Sequence, residues 1–256
     1  MPQTSSMPFY LDWSFWTVIV AAIDILLSQL PPIHLLLKRA KLDLEIYSRI
    51  FITHKIGNPN LQLHLIINNT GGRAIKVKSI TANLKREGKE IATLPAQNYY
   101  QNPSDEKTVL FTSFSIKPKE EWAHLINFLN YFSREDEKKY KEAESKLKEN
   151  IFEKKELPKN KEKLVEADNK NVIPFLDFFK EKFLWKAGEY EIKVILETIP
   201  NRASVERNFR FTLFESDSDE LSKYKDDYKF GDGIFYFSHK HSGIIIQLSE
   251  VKSKFS

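Results

Sequence analysis

Three groups of side chains in this chain have types and spacings that could do chemistry. His239 and His241 stand two apart around Lys240, close behind Asp232. Two histidines at i and i+2 share one face of a strand, so with a carboxylate they could hold a divalent metal. The same residues read equally as the polar tip of a hairpin, and that plainer account is preferred. Asp217-Ser218-Asp219 superficially resembles the start of a calcium loop, but the glycine and terminal bidentate glutamate of an EF-hand are missing at their offsets. Helix capping explains it better. The third group is Thr17, Asp24 and Ser28, spaced seven and four apart and so on one helical face.

No phosphate-binding glycine loop, nucleophile elbow or H-E-x-x-H motif occurs. No catalytic residue, cofactor site or metal site is assigned. The remaining enzymatic option is a site built on His239 and His241. With no cysteine in the chain, disulfides, thiolate zinc sites and cysteine nucleophiles are excluded. A net charge of +4, with lysines interspersed among glutamates, lacks the one-sided clustering of a nucleic-acid footprint, so no nucleic-acid partner is expected.

The third group lies in the most apolar stretch, Trp13 to Leu37, which carries Asp24 as its single carboxylate. At ~1.5 Å rise per residue such a run is long enough to cross a ~30 Å hydrocarbon core as a helix. The expectation is one transmembrane helix over 13–37 after a short extracytoplasmic segment, 1–12. Lys38 and Arg39 follow it and no basic residue precedes it. Their position predicts anchorage at an inner interface, the N-terminus outside and the rest of the chain cytoplasmic at the cell's inner membrane. A cleaved signal peptide lacks its basic n-region and A-x-A site here. A buried core helix is the other alternative, because Ser28, Gln29 and Pro31-Pro32 interrupt the run. Thr17, Asp24 and Ser28 would form the polar face of the membrane helix, either packing against a second copy or hydrogen-bonded locally.

Behind this segment the period changes to two. In LQLHLIINN, Leu61, Leu63, Leu65 and Ile67 fall on one face, the clearest strand of the chain. Ile75 and Val77 continue the pattern, and a change of phase near Ser79 predicts a bulge. Beyond Pro118, Trp122, Leu125, Ile126, Leu129 and Phe132 fit one face of a helix. Tyr140, Ala143, Leu147 and Ile151 mark a second helix, and Ile173 to Trp185 a third. Strands resume with Tyr190, Ile192, Val194 and Leu196, then Phe209, Phe211 and Leu213. The chain is expected to be mainly β, with a β domain over 38–116 and 186–256 and a helical insertion over 117–185.

Gly188-Glu189-Tyr190-Glu191-Ile192 resembles the start of strand F in immunoglobulin-like sandwiches, where a tyrosine makes a corner hydrogen bond. LHLIINNTGGRAIKVKSI is similar to a hairpin of bacterial immunoglobulin-like surface modules. The resemblance implies an immunoglobulin-like antiparallel β-sandwich with Tyr190 as its corner, and no catalytic residue. The expected function is a membrane-anchored interaction protein that presents this domain to a protein partner. The alternative is a membrane effector, of an antiviral kind, whose sensor domain drives helix oligomerisation and bilayer disruption.

Overall fold

The computed structural model describes residues 13–29, 39–102, 104–157, 163–238 and 243–251, apart from the side chains of Leu26 and Gln29. The first element is α1, Trp13–Gln29. After it the chain is mainly antiparallel β, built from β1 (Leu42–Lys55), β2 (Asn58–Asn69), β3 (Ile75–Arg86), β4 (Lys89–Tyr100), β5 (Val109–Leu110), β6 (Phe114–Ile116) and β7 (Glu121–Leu129). Two helices follow, α2 (Arg134–Glu156) and α3 (Asn169–Lys182). Then come β8 (Gly188–Ile199), β9 (Val205–Leu213), α4 (Glu215–Lys223), a 3-10 stretch over Tyr224–Phe230, β10 (Ile244–Gln247) and β11 (Ser249–Glu250).

The strands hydrogen-bond in the order β10-β1-β2-β7-β4-β3-β8-β9-β11, with β5 on β4 and β6 on β3. Two segments carry the path around the domain. The first half of β4 pairs with β3 and its second half with β7, with a register shift between Ala96 and Asn98. The C-terminal stretch does the same, β10 lying on β1 and β11 on β9, with Leu248 buried between them. Arg207 on β9 meets Asp43 on β1 at 3.0 Å across this seam. The sheet is therefore nearly closed and barrel-like, which leaves few exposed edges. Its interior is filled by the alternating residues Leu61, Leu63, Leu65 and Ile67 of β2, facing Val194 and Leu196 of β8 and Phe211 of β9 in one apolar core.

This architecture corrects three expectations. The immunoglobulin-like sandwich is not what forms: one hydrogen-bonded path of nine strands, with β5 and β6 attached to it, runs almost unbroken around the core, where that fold keeps two separate sheets. The transmembrane helix is also overturned. The described α1 has 17 residues, ~26 Å at the helical rise, and among the described residues no helix is long and apolar enough to cross a membrane. Third, residues 121–129 form strand β7 between β2 and β4, so the helices of the insertion start at Arg134.

α2 begins where Ser133 Oγ accepts from the Asp136 amide at 3.1 Å, with acidic residues in its first turn and lysines in its last. Its buried stripe is Tyr140, Ala143, Leu147 and Ile151, packed with Val172, Phe175, Phe178 and Phe179 of α3 into a second core. The β1–β2 hairpin reaches into that core. Ile56 and Gly57 at its tip both have positive φ, as a two-residue hairpin with the primed twist requires. Ile56 is fully buried among the helical residues, so the strand layer and the helical layer share one peg.

Candidate functional site

His54 lies at this junction, on the same inward phase of β1 as Ile50 and Ile52. Its Nε2 is 2.8 Å from the carbonyl oxygen of Leu221, which can only accept, so the proton is on Nε2. Nδ1 in turn accepts from the Gly57 amide at 3.0 Å. Rings of Tyr224, Phe183 and Phe179 surround it, with centroids 5.0 to 5.5 Å away. Both ring nitrogens are thus occupied by backbone, and the imidazole ties the hairpin tip to α4 rather than standing ready to move a proton. Trp185 reinforces the tie, donating from Nε1 to the Thr53 carbonyl at 2.8 Å, while its own carbonyl accepts from Ser218 Oγ at 2.8 Å.

Beside His54 opens a cavity of about 280 Å³. Its walls include Phe51, Ile56, Asn60, Tyr224, Tyr228 and Phe237, so most of its surface is apolar or aromatic. Lys55 also reaches it, with Nζ held 4.6 Å from the centre of the Tyr140 ring. The Tyr224 hydroxyl accepts from the Gly243 amide at 2.8 Å. Burial pushes the Tyr228 and Tyr224 phenols above their ordinary range, so both stay protonated. This arrangement lines the cavity with aromatic and aliphatic surface of a size that suits a small apolar molecule.

The residues singled out from sequence do not converge here. Thr17, Asp24 and Ser28 are all exposed on α1. The Thr17 hydroxyl bonds back to the carbonyls of Ser14 and Trp13, and that of Ser28 to Ile25, which leaves both engaged within their own helix. Lys38, His239 and His241 lie outside the described residues. Arg39 has an exposed side chain, and its carbonyl accepts from the Gly72 amide at 2.9 Å, fastening it to the β2–β3 turn. Asp232 is buried and accepts from the Ser238 amide at 2.9 Å, organising the loop over 232–238. Among the described residues no three histidine or acidic side chains gather as a metal site. Asp217 accepts from the Phe214 amide at 3.2 Å at the start of α4, a cap.

Tyr190 is fully buried, and its hydroxyl lies 2.6 Å from the Lys186 carbonyl and 3.0 Å from that of Leu184. It pins the segment leading into β8 without requiring the immunoglobulin topology. His54, Tyr224 and Tyr228 were not found from sequence. The available signal was the parity of His54 with Ile50 and Ile52, a polar residue on the dry phase of a strand just before the Ile56-Gly57 turn.

No family model and no curated protein matches the chain. Among solved structures, a protein from Archaeoglobus fulgidus aligns at 7% identity and a TM-score of 0.30, over 66% of this chain and 97% of that one. Spo0M, a sporulation control protein from Bacillus subtilis, aligns at 10% identity and a TM-score of 0.26, over 74% of this chain and 55% of its own.

Proposed function

We propose that the protein is a lipid-attached interaction protein, held at a bilayer by the apolar surface of α1 and presenting the β domain with its helical layer to a protein partner. The observation that carries this is the exposure of α1. Trp13 is 85% exposed and Val18 and Ile25 more than 60%, and none of the described side chains of α1 belongs to either core. Apart from the stripe of Thr17, Asp24 and Ser28 the surface of α1 is apolar, and a contiguous exposed apolar surface of this kind marks an interaction site. Trp13, Phe15 and Trp16 at its start suit the headgroup level of a lipid surface. Attachment without a span leaves the side of the membrane unassigned.

Flotation of the full chain with phosphatidylcholine–phosphatidylglycerol vesicles tests the reading. The wild type is expected to float with the vesicles, and Val18→Asp combined with Ile25→Asp to remain at the bottom. Wild-type protein that stays at the bottom overturns it. The same vesicles loaded with dye test the effector alternative, which requires leakage that Asp24→Leu abolishes.

A further inference from the structure

We propose that the end of the β domain where the chain arrives from α1 is a second lipid contact, a cationic platform that binds anionic phospholipid headgroups. The inference deepens the lipid-attachment reading and rests on it. Four separate stretches of sequence meet at this end: 39–41 ahead of β1, the β2–β3 turn over 70–74, the β6–β7 turn over 117–120 and the β8–β9 connection over 200–204. Asn69 ties the two turns together from a position that is 2% exposed. Its Nδ2 donates to the carbonyls of Arg73 and Ile116 at 2.9 Å each, its Oδ1 accepts from the Gly71 amide at 3.0 Å, and its own carbonyl accepts from the Lys119 amide at 2.9 Å. Gly71 and Gly72 in turn hold the carbonyls of Lys41 and Arg39. The fourth stretch is brought alongside by β3, where Ile75 pairs with Ile116 and Lys76 with Ile199.

Scattered in sequence, the cations Arg39, Lys41, Arg73, Lys117, Lys119 and Arg202 are collected by the fold at this one end. All are exposed except Arg73, which is half-buried, and none of them forms an ion pair among the described residues. The carboxylates nearest in sequence are Asp43, which Arg207 holds, and Glu120 and Glu121, of which Glu120 already accepts from the Lys117 amide at 2.6 Å. The helical layer is the opposite case. α2 carries eight basic and eight acidic residues, with pairs such as Lys138–Glu142 and Lys141–Glu137, and it packs over the Ile56-Gly57 tip, at the other end of β2 from Asn69 and ~36 Å away at the strand rise. Cations without partners are therefore segregated to one end of the domain. Nine residues, 30–38, link α1 to Arg39, and a chain of that length spans at most ~35 Å, so a lipid-bound α1 keeps this end within reach of the same surface. Each Lys or Arg that comes within a Debye length of an anionic leaflet adds to the attraction.

Titration of the full chain with phosphatidylcholine vesicles, made with and without phosphatidylglycerol, tests this. The wild type is expected to bind both through α1, with an added affinity for the phosphatidylglycerol vesicles that disappears between ~0.1 and ~1 M salt. Lys117→Gln, Lys119→Gln and Arg202→Gln combined should weaken binding to the anionic vesicles by roughly tenfold or more, from about fivefold per cation, and leave binding to phosphatidylcholine unchanged. These side chains are exposed and make no ion pair, so the urea midpoint should stay where it is. Lys138→Gln, Lys141→Gln and Lys155→Gln combined change the net charge equally on α2 and should bind like the wild type. The proposal fails if the wild type binds both vesicle types equally at ~0.1 M salt, if the platform variant binds like the wild type, or if the α2 variant loses as much. A DNA duplex bound without lipid as tightly as the anionic vesicles, and released by the platform variant, overturns it in favour of nucleic acid. Failure of the α1 reading has a different signature: Val18→Asp with Ile25→Asp would then leave binding to phosphatidylcholine vesicles unchanged.

Discussion

His54 donates from Nε2 to the carbonyl oxygen of Leu221, 2.8 Å away and 167 residues later in the chain, while its other nitrogen accepts the Gly57 amide. One imidazole therefore joins the first hairpin of the sheet to a helix formed near the C-terminus. All of these groups are removed from water, so a substitution leaves unpaired backbone as well as a lost bond. His54→Leu keeps the volume and should destabilise the fold by about 2–4 kcal/mol, read as a lower midpoint in urea denaturation. A loss below ~0.5 kcal/mol would show that the tie carries no weight.

Gly57 and Gly88 occupy equivalent positions in the two hairpins that begin the sheet, with φ of +81° and +74°. Their surroundings differ. A Cβ on Gly57 would sit 2.8 Å from the Phe179 carbonyl oxygen on α3, whereas one on Gly88 meets nothing within 4 Å. Gly88→Ala should cost only the left-handed penalty of roughly 1–2 kcal/mol. Gly57→Ala adds a backbone clash and should cost at least ~2 kcal/mol more, with amide shifts spreading into α3. Equal losses in the two variants would mean that the hairpin tip yields freely.

β2 alternates cleanly because one side is dry and the other half-exposed, and the phase change near Ser79 corresponds to the register shift between Val77 and Ser79 against β8. The residues of β7 mimic a helix, because Trp122, Leu125, Ile126 and Leu129 satisfy helical spacing. In the fold Ile126, Asn127 and Phe128 are buried consecutively, since the Asn127 amide is covered by Asn98 of β4. A strand covered on both faces loses its alternation. The site was illegible for another reason. Tyr228, Asn60 and His54 come to line one cavity only through long-range packing, and no local spacing encodes that arrangement. The immunoglobulin resemblance rested on Tyr190 and its neighbours, whose corner hydrogen bonds are local and compatible with more than one strand order.

Alkaline stability follows from four buried phenols. Burial is the main cause that raises Tyr140, Tyr190, Tyr224 and Tyr228 above the ordinary value of 10.0. A folded state that holds these protons more tightly than the unfolded chain keeps its full stability below pH ~10 and loses it as pH rises further. Each unit of displacement corresponds to about 1.4 kcal/mol. Circular dichroism and phenolate absorbance followed together should show the exposed tyrosines ionising first and the buried ones only as the fold is lost. Tyr140→Phe with Tyr228→Phe should move that unfolding step to higher pH. Smooth ionisation of all ten tyrosines with no change in dichroism would contradict the linkage.

None of the described side chains of α1 joins either core, and this separates two accounts of its apolar surface. If the helix serves an external apolar phase, deleting residues 1–38 removes lipid binding and leaves the β domain with its urea midpoint within ~0.5 kcal/mol of the full chain. If it were ordinary core, the deletion would strip away several large apolar side chains at about 1.5–3 kcal/mol each, and the remainder would not fold cooperatively. The seam supports the first outcome. β1 pairs with β2 from Leu42 onward and with β10 over 49–52, and Arg39 and Lys41 are already fastened to the β2–β3 turn through Gly72 and Gly71. The domain is therefore closed on itself just after the point where α1 would be cut away. Unfolding of the truncated chain should stay a single transition in urea, and its solubility should no longer depend on detergent.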